Sequence, residues 1–210
     1  MSASSLVCKR VLPKDARKLL RAVFPVLKEK DEDLKDITEK LKLVFNHDLN
    51  IRLNTYGINV YPIGHLETFA RGVIGYNVGT RDSISRWLRL SNRKFVVKGC
   101  FGTDTCSYNS LGRVVETAPY DILCGPGFSP RVFVHDLGKA LDSCAHVTHM
   151  ELVQYGPFTL EHALPSYRWS WEEAKATSEK LHTLWYTHVG DMRNEMKDRA
   201  SHFGNVARYF

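Results

Sequence analysis

LNIRLNTYGINVYPIGHLETFARGVIGY, residues 49–76, changes its hydrophobic rhythm half-way along. In the first half Leu49, Ile51 and Leu53 alternate with Asn50, Arg52 and Asn54; after a Tyr-Gly turn, Ile58 and Val60 resume the alternation. A period of two predicts a strand pair or a bent edge strand. In the second half Leu66, Phe69, Ala70, Val73 and Ile74 recur at helical spacing, and Gly72 and Gly75 weaken the end of that helix.

Working outward towards the N-terminus, PKDARKLLRAVFPVLKEK (residues 13–30) sets Leu19, Leu20, Val23, Phe24 and Leu27 at helical spacing, with Pro25 interrupting or ending the helix. A second helix is expected from about Asp31 to Val44, on Leu34, Ile37, Leu41 and Val44. Towards the C-terminus the middle of the chain reads as β: KFVVKGCF and AHVTHMELVQY as strands, with shorter apolar runs at RVV, YDIL and RVFVHDL. Ser170 followed by Glu173 is a capping box heading a long helix whose buried side is Leu181, Leu184, Trp185, His188, Met192 and Met196. The expected fold is α+β: a mainly antiparallel sheet packed with helices, N-terminal helices and a long C-terminal helix. Length suits one globular domain over 1–210, with 1–45 as a helical N-terminal appendage.

Charge is the most uneven property of the chain. There are 29 Lys+Arg against 23 Asp+Glu, a formal net charge of +6. Residues 71–98 hold Arg71, Arg81, Arg86, Arg89, Arg93, Lys94 and Lys98 with only Asp82 against them, and the rest is balanced. Thr80 or Asp82 can cap a short helix there, with Ile84, Trp87 and Leu88 on one sector and Arg86, Arg89 and Arg93 on the other. These seven basic groups are the candidate contacts to an anion, phosphate in particular. Tyr76 and Trp87 are candidates for stacking or an interface.

Signatures of catalysis are sparse. Five cysteines, an odd number, and an N-terminus without an apolar core point to a reducing compartment, and no apolar run reaches the length of a membrane span. Cys144, His146 and His149 are metal-ligand types, but alternation on a strand sends His149 to the other face. His65 and Glu67 echo the HxE of zinc deaminases without its PCxxC partner. Cys124 with His135 and Asp136 supplies the residue types of a thiol hydrolase. With no GxSxG, GxxxxGK or GxGxxG, no metal and no cofactor is expected, and the protein reads as non-enzymatic.

The run from Leu49 to Phe101 resembles the core of rhabdovirus matrix proteins. The matching pieces are the strand LNIRLNTYGINV, the amphipathic stretch YPIGHLETFARGVIG, the turn with Tyr76, Gly79 and Arg81, and ISRWLRL. PPxY and PTAP budding motifs are absent, and YDIL (Tyr120 to Leu123) fits the looser YxxL pattern. The resemblance implies a self-associating structural protein of virus assembly, located in the virion, the host cytoplasm and the inner face of membranes. Its partners would be an anionic lipid membrane, bound peripherally, and a viral nucleocapsid or RNA. The rivals are a soluble RNA-binding accessory or silencing-suppressor protein using the same arginines, and the thiol hydrolase.

Overall fold

The computed structural model describes residues 21–51, 58–79, 83–101 and 117–206, without the side chains of 83–84, 117–120 and 199–206. Strands β1 (Ala22–Lys28), β2 (Val60–Ile63), β3 (Arg71–Val78), β4 (Arg93–Phe101), β5 (Thr117–Cys124), β6 (Ala145–Tyr155) and β7 (Phe158–Thr159) form one sheet. Its order is β1-β3-β6-β4-β5, with β2 beside β3 and β7 beside β6. Helices α1 (Leu34–Asp48), α2 (Ser83–Arg89), α3 (Pro130–Ala140), α4 (Trp171–Lys180) and α5 (His182–Val206) complete an α+β fold.

Where a helix was expected, residues 22–28 form a strand instead. Within AVFPVLK every residue except Leu27 is buried, so the segment is a continuous apolar run, which periodicity alone cannot assign to helix or strand. Pro25 is tolerated because of the edge it faces. Leu27 N–H donates to Leu164 O and Leu164 N–H to Pro25 O, both at 3.0 Å, so the nitrogen of Pro25 points to this short bridge and away from the β3 ladder. Residues 13–20 of that expected helix lie outside the described residues.

The second expected helix exists as α1. Asp33 caps it, accepting from Lys35 N–H at 2.9 Å, and Leu34, Ile37, Leu41 and Phe45 are buried. Phe45 meets Phe24 of β1 and Trp171 of α4 edge to face, at 5.9 and 5.6 Å between centroids, tying helix, sheet and C-terminal helices into one core.

YPIGHLETFARGVIGY contains no helix: it is β2, a loop over 64–70, and β3. Two glycines carry the reason. Gly64 (φ +96°) and Gly72 (φ +149°) adopt backbone conformations that suit glycine, and a Cβ on Gly72 would fall 2.4 Å from Leu152 O. Such closeness lets β3 run against β6, in the sheet's one parallel pairing among the described strands, at Arg71↔Glu151 and Gly72↔Leu152.

A fork in the sheet follows. β1 occupies one edge of β3 along Gly72–Val78, so β2 and β6 share the other edge: β6 pairs at residues 71–72, β2 at 75–78. The loop 64–70 leaves β2 and enters β3 at this split.

Expected strands at KFVVKGCF and AHVTHMELVQY are β4 and β6, and YDIL lies in β5. RVFVHDL is helical: Ser129 caps α3, accepting from Val132 N–H, and Pro130 sits in the first turn. Ser170 caps α4 as expected, accepting from Glu173 N–H at 3.1 Å. The long helix is broken at Leu181, however, and of its expected buried side Leu184 and Met196 are exposed while Leu181 and Trp185 are buried.

Candidate active site at the sheet fork

Glu67 lies in the fork loop, and its carboxylate pairs with Arg131, the second residue of α3, at 3.2 Å between Oε2 and Nε. Both side chains are partly exposed. Arg131 is set by how α3 seats on the sheet: a Cβ on Gly138 would come within 2.5 Å of Ala145 N, so the helix rides directly on the start of β6. Leu66 and Ala70, on either side of Glu67, are buried and pin the loop to the core.

Lys28 holds the same loop from beneath. It is wholly buried at the end of β1, and its ammonium donates to the carbonyls of Ala70 (2.6 Å), Thr68 (2.8 Å) and Glu29 (3.1 Å). Asp31 N–H adds a bond to Thr68 O at 2.9 Å, and Ala70 N–H one to Glu67 O at 3.1 Å. Burial pulls the Lys28 pKa down, while Glu32, Asp31, Asp33 and Glu29 oppose the shift. At the loop's exit Arg71 bonds Glu29 at 2.9 Å and also pairs closely with Glu151, tying β1, β3 and β6 together. The result is a carboxylate on a backbone fixed from three sides and paired directly with a guanidinium. A carboxylate so placed can act as nucleophile or base.

The seven anion-binding candidates divide. Arg71 is consumed by Glu29 and Glu151, and Lys94 pairs with Asp121 at 3.5 Å. Arg81 lies outside the described residues. Arg86 and Arg89 are exposed on α2, and Lys98 on β4. Arg93 does not continue the helical row: α2 ends at Arg89, and Arg93 opens β4 with its guanidinium over the Tyr155 ring, 5.0 Å from the centroid. Trp87 is half-buried beneath Arg193 at 5.4 Å. Tyr76 is corrected outright. It is fully buried in β3, donates to Leu34 O at 3.2 Å, and burial pushes its pKa up to about 12, so it offers no stacking surface. Leu123 is exposed on β5, and the side chain of Tyr120 lies outside the described residues.

Cys124 is poorly placed to serve as the nucleophile of a thiol hydrolase. Burial raises the Cys124 pKa, against a weaker pull from Arg93, which disfavours the thiolate. Among the described residues no group of three His, Cys, Asp or Glu side chains, Cys144, His146 and His149 included, gathers closely enough to hold a metal ion.

A stretch of 65 residues is 43% identical to the pseudouridylate synthase TRUB1 of Mus musculus, and equally to that of Homo sapiens. It makes up 30% of this chain and only 19% of those relatives, so the chain spans about a fifth of their length. No family model matches. Among solved structures the fold resembles a Cbf5-Nop10-Gar1 complex (TM-score 0.52, covering 74% of this chain and 55% of that one) and an H/ACA ribonucleoprotein bound to a substrate RNA containing 2′-deoxyuridine (TM-score 0.53, 74% and 54%). Both are 16% identical, a likeness of fold.

These findings overturn the matrix-protein reading. Its amphipathic helix, YPIGHLETFARGVIG, is in fact β2, a loop and β3, residues 52–57 of the strand before it lie outside the described residues, and Tyr76 at its end is inside the core. The relatives are named pseudouridylate synthases, which removes the grounds for a non-enzymatic virion protein and for its membrane, nucleocapsid and self-assembly partners. No described helix is long and apolar enough to cross a membrane.

Proposed function

We propose that the chain is a pseudouridine synthase-type domain that isomerises uridine in RNA, with Glu67 as its essential carboxylate and Arg131 as the group that holds it in place. The observation that carries the proposal is the Glu67–Arg131 pair, held at a sheet fork by Lys28, in a chain 43% identical over 65 residues to a pseudouridylate synthase. The fold likeness to an H/ACA ribonucleoprotein bound to substrate RNA supports the same reading.

Conversion of uridine to pseudouridine breaks the N1–C1′ bond, turns the uracil, forms a C5–C1′ bond, and releases the C5 hydrogen as a proton while N1 takes up a proton. Overall it is an isomerisation. A carboxylate serves it by attacking the electrophilic sugar or uracil ring, or by taking the proton from C5. Arg131 orients the Glu67 carboxylate towards the bound nucleotide. The target base must be unstacked to reach Glu67, and the exposed Arg86 and Lys98 are proposed to attract the RNA backbone.

Release of tritium from RNA carrying [5-³H]uridine tests the reading. The expected result is release by the wild type, a loss of at least about 100-fold in Glu67→Gln, and a smaller loss in Arg131→Gln. Absence of release from any cellular RNA pool, or full activity in Glu67→Gln, overturns it.

A further inference from the structure

We propose that Arg93 and Arg89 form a seat for one RNA phosphate beside the nucleotide whose sugar meets Glu67. The inference rests on the RNA-modifying reading above and adds a substrate contact to it.

Gly64 shows how close the two places are. A Cβ on Gly64 would lie 2.4 Å from Tyr155 Oη and 3.4 Å from Arg93 Nη2, so the Arg93 guanidinium comes right up to the start of the fork loop. Glu67 follows three residues later, a span of at most about 11 Å of chain. A flanking nucleotide can therefore reach Arg93 while its neighbour meets Glu67.

The arginine is built in rather than free on the surface. Its guanidinium rests over the ring of Tyr155, which is 2% exposed at the end of β6. Cross-strand pairing sets Arg93 opposite both Tyr155 of β6 and Cys124 of β5, so its backbone is fixed from two sides. Arg93 Nε and Tyr155 Oη are buried without a well-aligned partner, although the Arg93 side chain lies close enough to the Tyr155 hydroxyl to interact with it. Arg89, exposed at the end of α2, is near enough for its charge, with that of Arg93, to oppose the burial that raises the Tyr155 pKa. No described carboxylate lies within ion-pair distance of either arginine, whereas Arg71, Lys94, Arg131 and Arg168 each have one. A fixed guanidinium without a counter-ion keeps its full charge for an incoming anion. A phosphate accepts from the Arg93 fork, the exposed Arg89 four residues earlier adds positive charge, and a pre-set Arg93 loses little conformational entropy in binding it.

The test is fluorescence anisotropy with a short uridine-containing RNA, repeated with single neutral methylphosphonates placed around the uridine. Expected for Arg93→Gln are roughly ten-fold weaker binding and a log–log salt slope smaller by about 0.7. One methylphosphonate position should weaken the wild type about ten-fold and leave Arg93→Gln unaffected. Arg93→Lys should keep the salt slope and lose part of the affinity, a split that a merely structural role does not give. An unchanged slope in Arg93→Gln, or a methylphosphonate penalty equal in both proteins at every position, overturns the seat. If Arg93→Gln does not fold, as judged by its melting curve, the same scan on Arg89→Gln decides by the same criteria. Tritium release by the wild type separates the two readings: an active enzyme lacking these effects loses only the seat, and an inactive chain showing them loses only the isomerase.

Discussion

The Glu67 carboxylate owes its position to a residue far from it in sequence and of opposite character to its surroundings. Lys28 is a cation at the dry end of a strand, where an ammonium survives only with full hydrogen bonding. It finds three carbonyls, two of them in the loop around Glu67. Lys28→Met keeps the apolar stem and removes the donor, leaving the buried Ala70 carbonyl without its shortest bond. The expected loss is about 2–3 kcal/mol in urea denaturation, together with slower tritium release even where the variant is fully folded. A variant as stable and as active as the wild type would show that the loop holds its shape without this residue. Glu67 itself was visible in the sequence only as part of an HxE echo. Its partner Arg131 follows 64 positions later, and nothing in local periodicity links a loop acid to a helix-start arginine.

At the scale of elements, the residues that misled the sequence reading are those that shape the fork. Apolar spacing in 61–76 fits a helix, yet Gly64 and Gly72 punctuate it, Gly64 against the Tyr155 side chain and Gly72 where β3 passes closely against β6. AVFPVLK likewise satisfies a helical pattern because a strand buried on both faces has no period to display. Where one face meets solvent or a cap is present, as in α1 and α4, the sequence was legible. Gly72→Ala tests the close approach: the new Cβ meets Leu152 backbone in a conformation that alanine resists, so unfolding free energy should fall by about 3 kcal/mol. The α2–α5 contact carries a pH signature. His188 Nε2 lies 2.9 Å from Ser91 Oγ, and burial lowers its pKa from 6.5, more strongly than Asp191 and Glu195 raise it. The unfolded chain therefore binds more protons than the folded one as pH drops through 6.5, and stability falls until the lower folded pKa is passed. The difference in stability between about pH 7.5 and about pH 5 should narrow in His188→Gln. An unchanged difference would assign the acid sensitivity elsewhere.

Over the whole molecule, the net charge of +6 sits in residues 71–98, and the fold decides which of those charges face a partner. Arg71 spends its charge joining three strands and Lys94 has Asp121, while Arg86, Arg89 and Lys98 are exposed with no described carboxylate in ion-pair distance. A sequence count treats them alike because pairing across strands leaves no mark in local composition. RNA binding distinguishes them. Each phosphate neutralised on a single strand contributes about 0.7 to the log–log salt slope. Arg86→Gln should lower the slope by about that amount and weaken short RNAs of any sequence alike, with its melting temperature near that of the wild type. Arg71→Gln should do the reverse: the slope stays, and stability falls because Glu29 and Glu151 are left facing each other. Equal slopes for the two variants would mean that RNA meets the protein on a different surface, and that the concentration of charge in 71–98 serves the fold alone.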